Sequence, residues 1–241
     1  MGSKNIKTIL FDFDGTLRHS IPLGGDVFSD YVSSLGLPLT DDDRLRAARW
    51  EHYYFASSPE IEVDRELVVD GDESEFWKNF GRRRLVALGL HPSLAAELAP
   101  QVSAHMQETY NPEVWMPEEL NDLLPELRGS GYTLGIVSNR SEPYHDTVEE
   151  MNLQDYFSFV LAAGEVGSWK PDPKIFHHAA RLAKSKPEET VYIGDNYYAD
   201  VIGARRAGLH PVLYDRRGLF SDTGCPIMAS FDRFPEILEG M

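Results

Sequence analysis

The hydrophobic positions of this chain fall into two patterns, which together predict alternating strands and helices in its second half. Short apolar runs predict buried strands, whereas apolar residues three or four apart predict helices with one buried face. The predicted strands cover 6–13, 132–137, 157–162, 190–193 and 211–214, and the predicted helices cover 118–128, 142–151, 173–183 and 200–207. This alternation is typical of an α/β fold with a doubly wound parallel sheet, which the first strand joins.

A stretch with helical spacing throughout separates the first strand from the others. The predicted helices cover 26–35, 41–55 and 73–88 and begin again at Pro92. The buried stripe of the last helix is predicted at Leu94, Leu98, Val102, Met106 and Tyr110. The segment 61–71 is expected to be a loop or a short strand. Four helices without an intervening strand predict an inserted helical domain at 20–112, and the α/β core then comprises 1–19 plus 113–241.

The acidic composition narrows the possible partners. The 241 residues carry a formal net charge of -16, whereas nucleic acids and anionic membranes bind basic surfaces, so neither is an expected partner. No apolar run has membrane-spanning length, and no apolar segment of a signal peptide is seen at the N-terminus. Cys225 is the one cysteine of the sequence, which fits a reducing compartment, and we expect a cytoplasmic protein. The sequence leaves the oligomeric state open.

The first candidate functional residues lie at the end of the first predicted strand. Asp12 and Asp14 follow an apolar run and lie two positions apart, so in extended backbone both carboxylates point the same way. At an effective dielectric constant near 20, two such charges about 4 Å apart repel each other by roughly 4 kcal/mol. We therefore expect a cation or a shared proton beside this pair. Gly15 then allows a turn, and Thr16 adds a hydroxyl.

The ends of the other predicted strands add complementary groups. Ser138 and Asn139 follow the second strand, Asp195 follows the fourth, and Asp200 begins the next predicted helix. Lys170 lies in a proline-rich loop. Because ligands bind beyond the carboxyl ends of parallel strands, we expect these residues to meet the two aspartates of the first strand. The acids suit Mg²⁺, the lysine and hydroxyls suit phosphate oxygens, and a carboxylate is able to act as a nucleophile.

Four segments in this order resemble the motifs of the haloacid dehalogenase-like hydrolase superfamily. They are Asp12-Phe13-Asp14-Gly15-Thr16, Ser138-Asn139, Lys170-Pro171-Asp172-Pro173 and Gly194-Asp195-Asn196-Tyr197-Tyr198-Ala199-Asp200. The helical insert resembles the small cap of the capped phosphatase branch in position and helicity. The resemblance implies a Rossmann-like core with an inserted cap domain. In the branch that cleaves carbon–halogen bonds the position of Asp14 holds no acid, so this residue favours phosphate transfer.

The resemblance also implies a role for each site residue. Asp12 would be the nucleophile that takes the phosphoryl group, and Asp14 would protonate the leaving alcohol and then deprotonate water. Asp12, the backbone carbonyl of Asp14 and Asp195 would hold Mg²⁺. Asp200 would support a metal-bound water or Lys170. The implied phosphate-binding residues are Thr16, Ser138, Asn139 and Lys170. Among them the asparagine would brace the loop.

These observations favour a Mg²⁺-dependent phosphatase that acts on a small soluble phosphomonoester through an aspartyl-phosphate. Two alternatives stay open. A phosphotransferase such as a sugar phosphomutase would use the same core residues and return the phosphoryl group to the substrate. A regulatory binding module would keep the fold without turnover.

The remaining polar and aromatic clusters are mainly expected to have structural roles. The aromatic group at 50–55 is expected to pack in the core of the insert rather than to line a pocket. The arginines at 82–84 are expected on a solvated helix face rather than at an anion site. Arg18 and His19 directly follow the first motif, and a substrate contact is a hypothesis for either.

Overall fold

The computed structural model describes residues 5–241, and the chain divides into two compact units. The core unit combines the residues up to His19 with Met116–Met241, and the insert unit is Ser20–Trp115. The division into domains at 1–19 plus 113–241 and at 20–112 stays a prediction about separately folding parts. Among the described residues, no helix combines the length and the apolar character needed to cross a membrane.

A six-stranded sheet organises the core unit and confirms the predicted α/β class. Its strands are β1 (Thr8–Phe11), β4 (Thr133–Ser138), β5 (Phe159–Ala162), β6 (Thr190–Gly194), β7 (His210–Tyr214) and β8 (Ile227–Met228). A separate two-stranded sheet consists of β2 (His19–Ile21) and β3 (Glu113–Trp115). The large sheet is parallel with the order β5-β4-β1-β6-β7-β8. Phe11 of β1 lies opposite Ile136 of β4 and Ile193 of β6, so these three strands end close together.

Helices of the core unit pack on both sides of this sheet. The insert unit has its own helices, α1 (Gly24–Ser34), α2 (Asp41–Tyr54), α3 (Pro59–Arg65), α4 (Ser74–Ala87) and α5 (Pro92–Thr109). Those of the core unit are α6 (Leu120–Gly129), α7 (His145–Glu150), α8 (Ala163–Val166), α9 (Pro173–Leu182), α10 (Ile202–Arg206) and α11 (Phe234–Glu239). Ile9 and Phe11 of β1 join one buried cluster with Leu123 of α6, whereas Leu10 joins another with Phe176 of α9. Because successive strand residues point to opposite faces, this two-sided burial explains the nearly unbroken apolar runs.

The insert unit, all of which the structure describes, contains five helices rather than the four that the sequence pattern predicts. The additional helix is α3, which occupies part of the segment expected to be a loop or a short strand. The Ser58 hydroxyl accepts a hydrogen bond from the Ile61 N–H at 3.2 Å, and Pro59 lies in the first turn. A helix of seven residues is too short to show a clear periodicity of apolar residues. Its capping residue was therefore the better indication of a helix in the sequence.

The buried face of α5 is rotated by about one residue from the predicted stripe. Ala95, Ala99 and Val102 are buried, whereas Leu98 and Met106 lie at the edge of this face. The small alanine side chains allow close packing at the centre. The four-residue spacing of the larger residues therefore identifies the correct side of the helix but not its middle.

Three aromatic residues of the group at 50–55 pack in the core of the insert unit, as the sequence predicts, whereas Tyr53 is exposed. Tyr54 is fully buried with Phe76 and Phe80, and Trp50 and Phe55 pack against them. These contacts give the insert unit a second apolar cluster beside the one that joins α1, α4 and α5.

Arg84 corrects the expectation of a solvated face at 82–84. It is buried, its guanidinium pairs with Glu51, and it donates a hydrogen bond to the Gly25 carbonyl at 3.0 Å. The same guanidinium lies over the Phe28 ring, with its central carbon 5.1 Å from the ring centroid. Position in the helix did not reveal this burial because the partners come from α1 and α2.

A buried ion pair in the insert unit also involves this run of arginines. Asp64 is fully buried, and Arg83 binds its two oxygens through Nε at 2.7 Å and Nη2 at 3.0 Å. The Tyr54 hydroxyl donates to the same carboxylate at 2.9 Å, and Asn79 donates to it as well. Four hydrogen bonds thus satisfy one buried charge, which marks this cluster as structural.

Replacing Arg83 with Gln should destabilise the protein because it leaves the Asp64 carboxylate buried without its counter-charge. We expect the free energy of unfolding, measured by urea denaturation, to fall by about 3 kcal/mol. Arg65→Gln is the matched control, since Arg65 pairs with Glu62 at the solvent-exposed surface and its loss should lower stability by less than about 0.5 kcal/mol. Equal losses in the two variants would contradict a structural role for the buried pair.

Candidate active site

The ends of β1, β4 and β6 gather the predicted site residues at one edge of the sheet. Asp12 follows β1, and its N–H donates to the Ile193 carbonyl at 2.8 Å, which holds this aspartate beside β6. Asp195 follows β6, and Ser138 is the last residue of β4. The parallel pairing of neighbouring strands therefore makes neighbours of residues that are distant in the sequence.

Two glycines provide the space that the acids occupy. Gly15 has a backbone φ of +89°, and a Cβ atom at this residue would collide with the Asp195 carboxylate. A Cβ atom at Gly194 would collide with the Asp200 carboxylate. Both glycines are part of the motifs recognised in the sequence, and their role here is to let carboxylates approach the backbone closely.

Three carboxylates form the acid cluster of this site. One oxygen atom from each of Asp12, Asp195 and Asp200 lies within 4.8 Å of the other two. Asp12 and Asp200 are buried, and Asp195 is partly exposed. Carboxylate oxygens in this number and spacing suit a hard divalent cation, and side chains of this cluster are candidates to hold it.

The ammonium group of Lys170 lies within this acid cluster. Its Nζ donates to Asp12 Oδ1 at 2.6 Å, to Asp200 Oδ1 at 2.7 Å and to the Tyr192 hydroxyl at 3.0 Å. The lysine is buried with 2% of its surface exposed, so these contacts are poorly screened by water. The ammonium thus offsets part of the charge that the aspartates concentrate here.

Asn139 holds the loop that carries the lysine. Its side-chain oxygen accepts a hydrogen bond from the Lys170 N–H at 2.6 Å, and its amide donates to the Lys170 carbonyl at 3.0 Å. Both ends of the amide are therefore engaged by the loop backbone. Asn139 acts on the position of Lys170, and its amide does not extend into the acid cluster.

Asp200 lies inside a π-helical turn, Tyr197–Val201, which corrects the expectation that it begins an α-helix. The cap of this turn is Asn196, whose side-chain oxygen accepts hydrogen bonds from the N–H groups of Tyr198 and Ala199, each at 3.0 Å. The Asn196 N–H in turn donates to Asp200 Oδ2 at 2.9 Å. Asparagine is a favoured capping residue, so Asn196 itself was a signal for an earlier start of this turn.

Thr16 is fully buried and contacts the fourth motif. Its hydroxyl accepts a hydrogen bond from the Asp195 N–H at 3.1 Å and lies 3.4 Å from Asp195 Oδ1. His19 is also buried, with its Nε2 atom 3.1 Å from the Thr16 carbonyl. The first and fourth motifs are therefore joined by a side chain as well as by strand pairing.

The Asp14 carboxylate lies outside the acid cluster, which corrects the expectation that Asp12 and Asp14 point to one spot. The strand ends at Phe11 and the chain turns at once, with the Leu17 N–H donating to the Phe13 carbonyl at 2.9 Å. The alternation of side chains along a strand therefore does not extend to Asp14. Asp200 supplies the third carboxylate instead.

Asp14 is held by two arginines. Arg140 binds it through Nε at 2.8 Å and Nη2 at 2.9 Å, and Arg18 adds a contact at 3.2 Å. The Arg140 guanidinium lies over the rings of Phe13 and Tyr144, with its central carbon 5.1 Å from each centroid. The sequence reasoning missed Arg140, although its place directly after Ser138-Asn139 was the available signal.

Burial and neighbouring charges shift several pKa values at this site. Burial raises the pKa of Asp12 to about 7, with Lys170 opposing the shift and Asp200 adding to it. Burial and the charges of Asp12 and Asp200 raise the pKa of Asp195 well above its usual range. Burial would lower the pKa of Lys170, but the carboxylates around it raise this pKa well above its ordinary value.

Besides burial, an excess of negative over positive charge contributes to the raised pKa values of Asp12 and Asp195. With all three carboxylates of the acid cluster ionised, the single ammonium leaves two negative charges without a partner. A divalent cation would restore the balance and favour the ionised form of each acid. The arrangement is therefore able to hold such a cation and to receive an anionic group beside it.

Comparison with known proteins identifies relatives of the whole architecture. Residues 9–213 match the family model described as Haloacid dehalogenase-like hydrolase. A glyceraldehyde 3-phosphate phosphatase of Methanopyrus kandleri is 39% identical over 226 residues, which cover 90% of this chain and 87% of that protein. A phosphoserine phosphatase of Thermus thermophilus is 35% identical over 88% of this chain and 89% of that protein.

Other matches are more restricted. Haloacid dehalogenase-like hydrolase domain-containing protein 3 of Bos taurus is 32% identical over 58% of this chain, and the match spans about half of that relative, 55% of its length. Among solved structures, a predicted phosphoglycolate phosphatase from Haemophilus somnus covers 98% of this chain and 99% of its own at 18% identity, with a TM-score of 0.60. At this identity the likeness concerns the fold alone.

The raised pKa of Asp12 predicts how metal-free stability depends on pH. The ordinary pKa of this carboxyl is 3.8, and folding raises the pKa to about 7, so its contribution to stability falls as the pH rises between these values. Asp12→Asn has no such proton to lose. We expect the variant to gain stability relative to wild type across this window, by at most about 1.4 kcal/mol per pH unit.

Urea unfolding in EDTA at about pH 5 and about pH 7.5 measures this difference. Asp122→Asn, at an exposed position of α6, is the matched control and should follow wild type at both pH values. A stability difference between Asp12→Asn and wild type that is independent of pH would contradict the assigned shift.

Proposed function

We propose that this chain, which belongs to the haloacid dehalogenase-like hydrolase family, is a Mg²⁺-dependent phosphatase that cleaves a small phosphomonoester through an aspartyl-phosphate. The observation that carries the proposal is the buried Asp12 carboxylate, which Lys170 contacts at 2.6 Å within the acid cluster. A buried carboxylate beside a fixed cation is suited to act as a nucleophile, because the contact fixes its position and favours its ionised form.

The chemistry of the donor set fits Mg²⁺, which prefers oxygen ligands. In the proposal, the carboxylates of Asp12 and Asp195 and the backbone carbonyl of Asp14 hold the ion. Asp200 supports this set through its contact with Lys170. The bound ion would supply positive charge beside the substrate phosphate. A chain with a net charge of -16 otherwise offers positive charge only through individual side chains near the site.

The proposed reaction has two steps. In the first, an oxygen of Asp12 forms a bond to phosphorus while the ester P–O bond breaks, and its electron pair leaves on the alcohol oxygen, which takes a proton from Asp14. In the second, Asp14 takes a proton from the water that attacks the aspartyl-phosphate, which releases inorganic phosphate and restores Asp12. Because Arg140 and Arg18 contact both oxygens of Asp14, this residue must exchange one such contact for a proton before the first step.

Lys170, Ser138 and Thr16 are the proposed neighbours of the phosphoryl oxygens, and Asn139 maintains the loop. The three hydrogens of the Lys170 ammonium have three oxygen acceptors within 3.0 Å, so we assign the lysine first to the placement of Asp12. Binding of a phosphate oxygen would then require an exchange of one of these contacts.

The proposed substrate is a small, soluble phosphorylated metabolite. The relatives named as phosphatases of glyceraldehyde 3-phosphate and of phosphoserine support this class, since each name specifies a phosphate ester. The acidic surface of the chain also favours a small ligand over a nucleic acid, whose phosphates need a basic surface.

Removal of the nucleophile tests the proposal most directly. We expect the wild type to release inorganic phosphate from p-nitrophenyl phosphate when Mg²⁺ is present, to stop in EDTA and to resume when Mg²⁺ is restored. Asp12→Asn should lower kcat by a factor of at least roughly 10³, because an amide is a poor nucleophile. Asp122→Asn should keep the wild-type kcat.

The products also separate the alternative functions. Conversion of a sugar phosphate to its isomer with little free phosphate would favour a phosphomutase. Absence of turnover across a broad panel of esters would favour a binding module. Wild-type activity in Asp12→Asn would contradict the assignment of the nucleophile.

Asp14→Asn should distinguish esters by their leaving groups. An alkoxide needs a proton as it leaves, whereas p-nitrophenolate does not, so the first turnover of an alkyl phosphate should slow by about 10² to 10⁴. The first turnover of p-nitrophenyl phosphate, measured as a rapid burst of p-nitrophenol, should slow much less. Equal slowing of both esters would argue that Asp14 does not serve as the acid.

A further inference from the structure

We propose that Tyr192 is a positioning residue whose hydroxyl ties the Lys170 ammonium to the backbone of β4 and thereby fixes the cation that contacts Asp12. Its effect on turnover rests on the proposed function, whereas its geometry rests on contacts of described residues alone. Tyr192 lies on β6, before the fourth motif begins, so the motifs assign it no role.

The surroundings of Tyr192 are apolar. It is fully buried in the middle of β6, opposite Leu10 of β1, and it belongs to the same apolar cluster as Val137 and Ile175. Its ring meets the edge of Phe176, with centroids 4.8 Å apart. A phenylalanine would satisfy this packing, and a buried hydroxyl is unfavourable unless it is hydrogen-bonded. The presence of the hydroxyl therefore needs a reason other than packing.

The two hydrogen bonds of this hydroxyl fix its orientation. It donates its single hydrogen to the Val137 carbonyl at 3.0 Å, which leaves a lone pair to accept from Lys170 Nζ at 3.0 Å. Val137 belongs to β4, and β1 lies between β4 and β6, so the tyrosine side chain crosses β1 to reach it. Lys170 is thus linked to the rigid centre of the sheet as well as to the loop that Asn139 holds.

The hydroxyl provides the third acceptor of the ammonium group. Asp12 and Asp200 accept the other two hydrogens of Lys170, at 2.6 Å and 2.7 Å. Among these three acceptors Tyr192 is the uncharged one, and burial raises the pKa of its phenol well above the usual range. Two carboxylates alone would let the ammonium move toward either of them. A third, neutral acceptor holds the ammonium between them without adding negative charge to the acid cluster.

Tyr192→Phe removes one oxygen atom and retains the ring, so it tests the hydroxyl alone. We expect kcat for an alkyl phosphate to fall roughly tenfold while KM stays within about twofold, because the lysine remains but is less well placed beside Asp12. Tyr54→Phe is the matched control, since it removes a buried hydroxyl that serves Asp64 in the insert unit. The control should lower thermal stability and keep the wild-type kcat. A kcat that is unchanged in Tyr192→Phe would overturn the proposal.

A double-mutant cycle with Lys170→Met tests whether the tyrosine acts through the lysine. In that background, Tyr192→Phe should change the residual kcat by less than about twofold, because the contact is already lost. A tenfold effect that persists without the lysine would show that Tyr192 acts by another route, and the proposal would fail.

A measurement without turnover separates this inference from the proposed function. In ¹⁵N-labelled protein, we expect the buried Lys170 ammonium to give a slowly exchanging N–H signal that Lys170→Met removes. Tyr192→Phe should speed this hydrogen exchange by at least about tenfold, and Tyr54→Phe should leave it unchanged. Unchanged exchange in Tyr192→Phe would overturn the positioning role even in an active enzyme. Faster exchange in a chain that releases no phosphate would uphold the positioning role and reject only the phosphatase.

Discussion

The contact between one ammonium and two buried carboxylates is the interaction on which the core unit depends. Asp12 and Asp200 lie within 2.7 Å of Lys170 Nζ, and water is largely excluded from all three groups. Removal of the cation would leave buried charges without compensation, which is strongly unfavourable. The proline-rich loop, the amide of Asn139 and the register of the central strands all serve to bring this cation to the end of β1.

Two buried acidic sites in this chain show how structural and functional charge differ. Asp64 in the insert unit receives hydrogen bonds from Arg83, Tyr54 and Asn79, so its charge is fully satisfied. The acid cluster of the core unit has more carboxylates than ammonium groups, and burial together with the charge of Asp200 raises the pKa of Asp12. Such an excess of buried negative charge is typical of functional sites, and a bound divalent cation would balance it.

Much of the core unit and its site could be predicted from the sequence, because several polar residues of the site directly follow the predicted strands. Buried strands appear as apolar runs, and each run that ends in a polar residue points to the same edge of the sheet. The direction of the Asp14 side chain could not be predicted in this way, because the chain turns after Phe11 and side chains no longer alternate between the two faces of the sheet. Arg84 and Tyr192 were missed for a related reason: their partners are distant in the sequence, and single-residue patterns carry no information about them.

The separation between Asp12 and Lys170 along the chain, 158 positions, has a consequence for biosynthesis. During translation the end of β1 that carries Asp12 is made first, and the whole compact unit Ser20–Trp115 is made before the rest of the site. Only after the π-helical turn has left the ribosome do all the groups of the acid cluster exist together. The acid cluster of a nascent chain is therefore incomplete until β6 and the π-helical turn have been made, so the pairing of β6 with β1 and the assembly of the cluster go together.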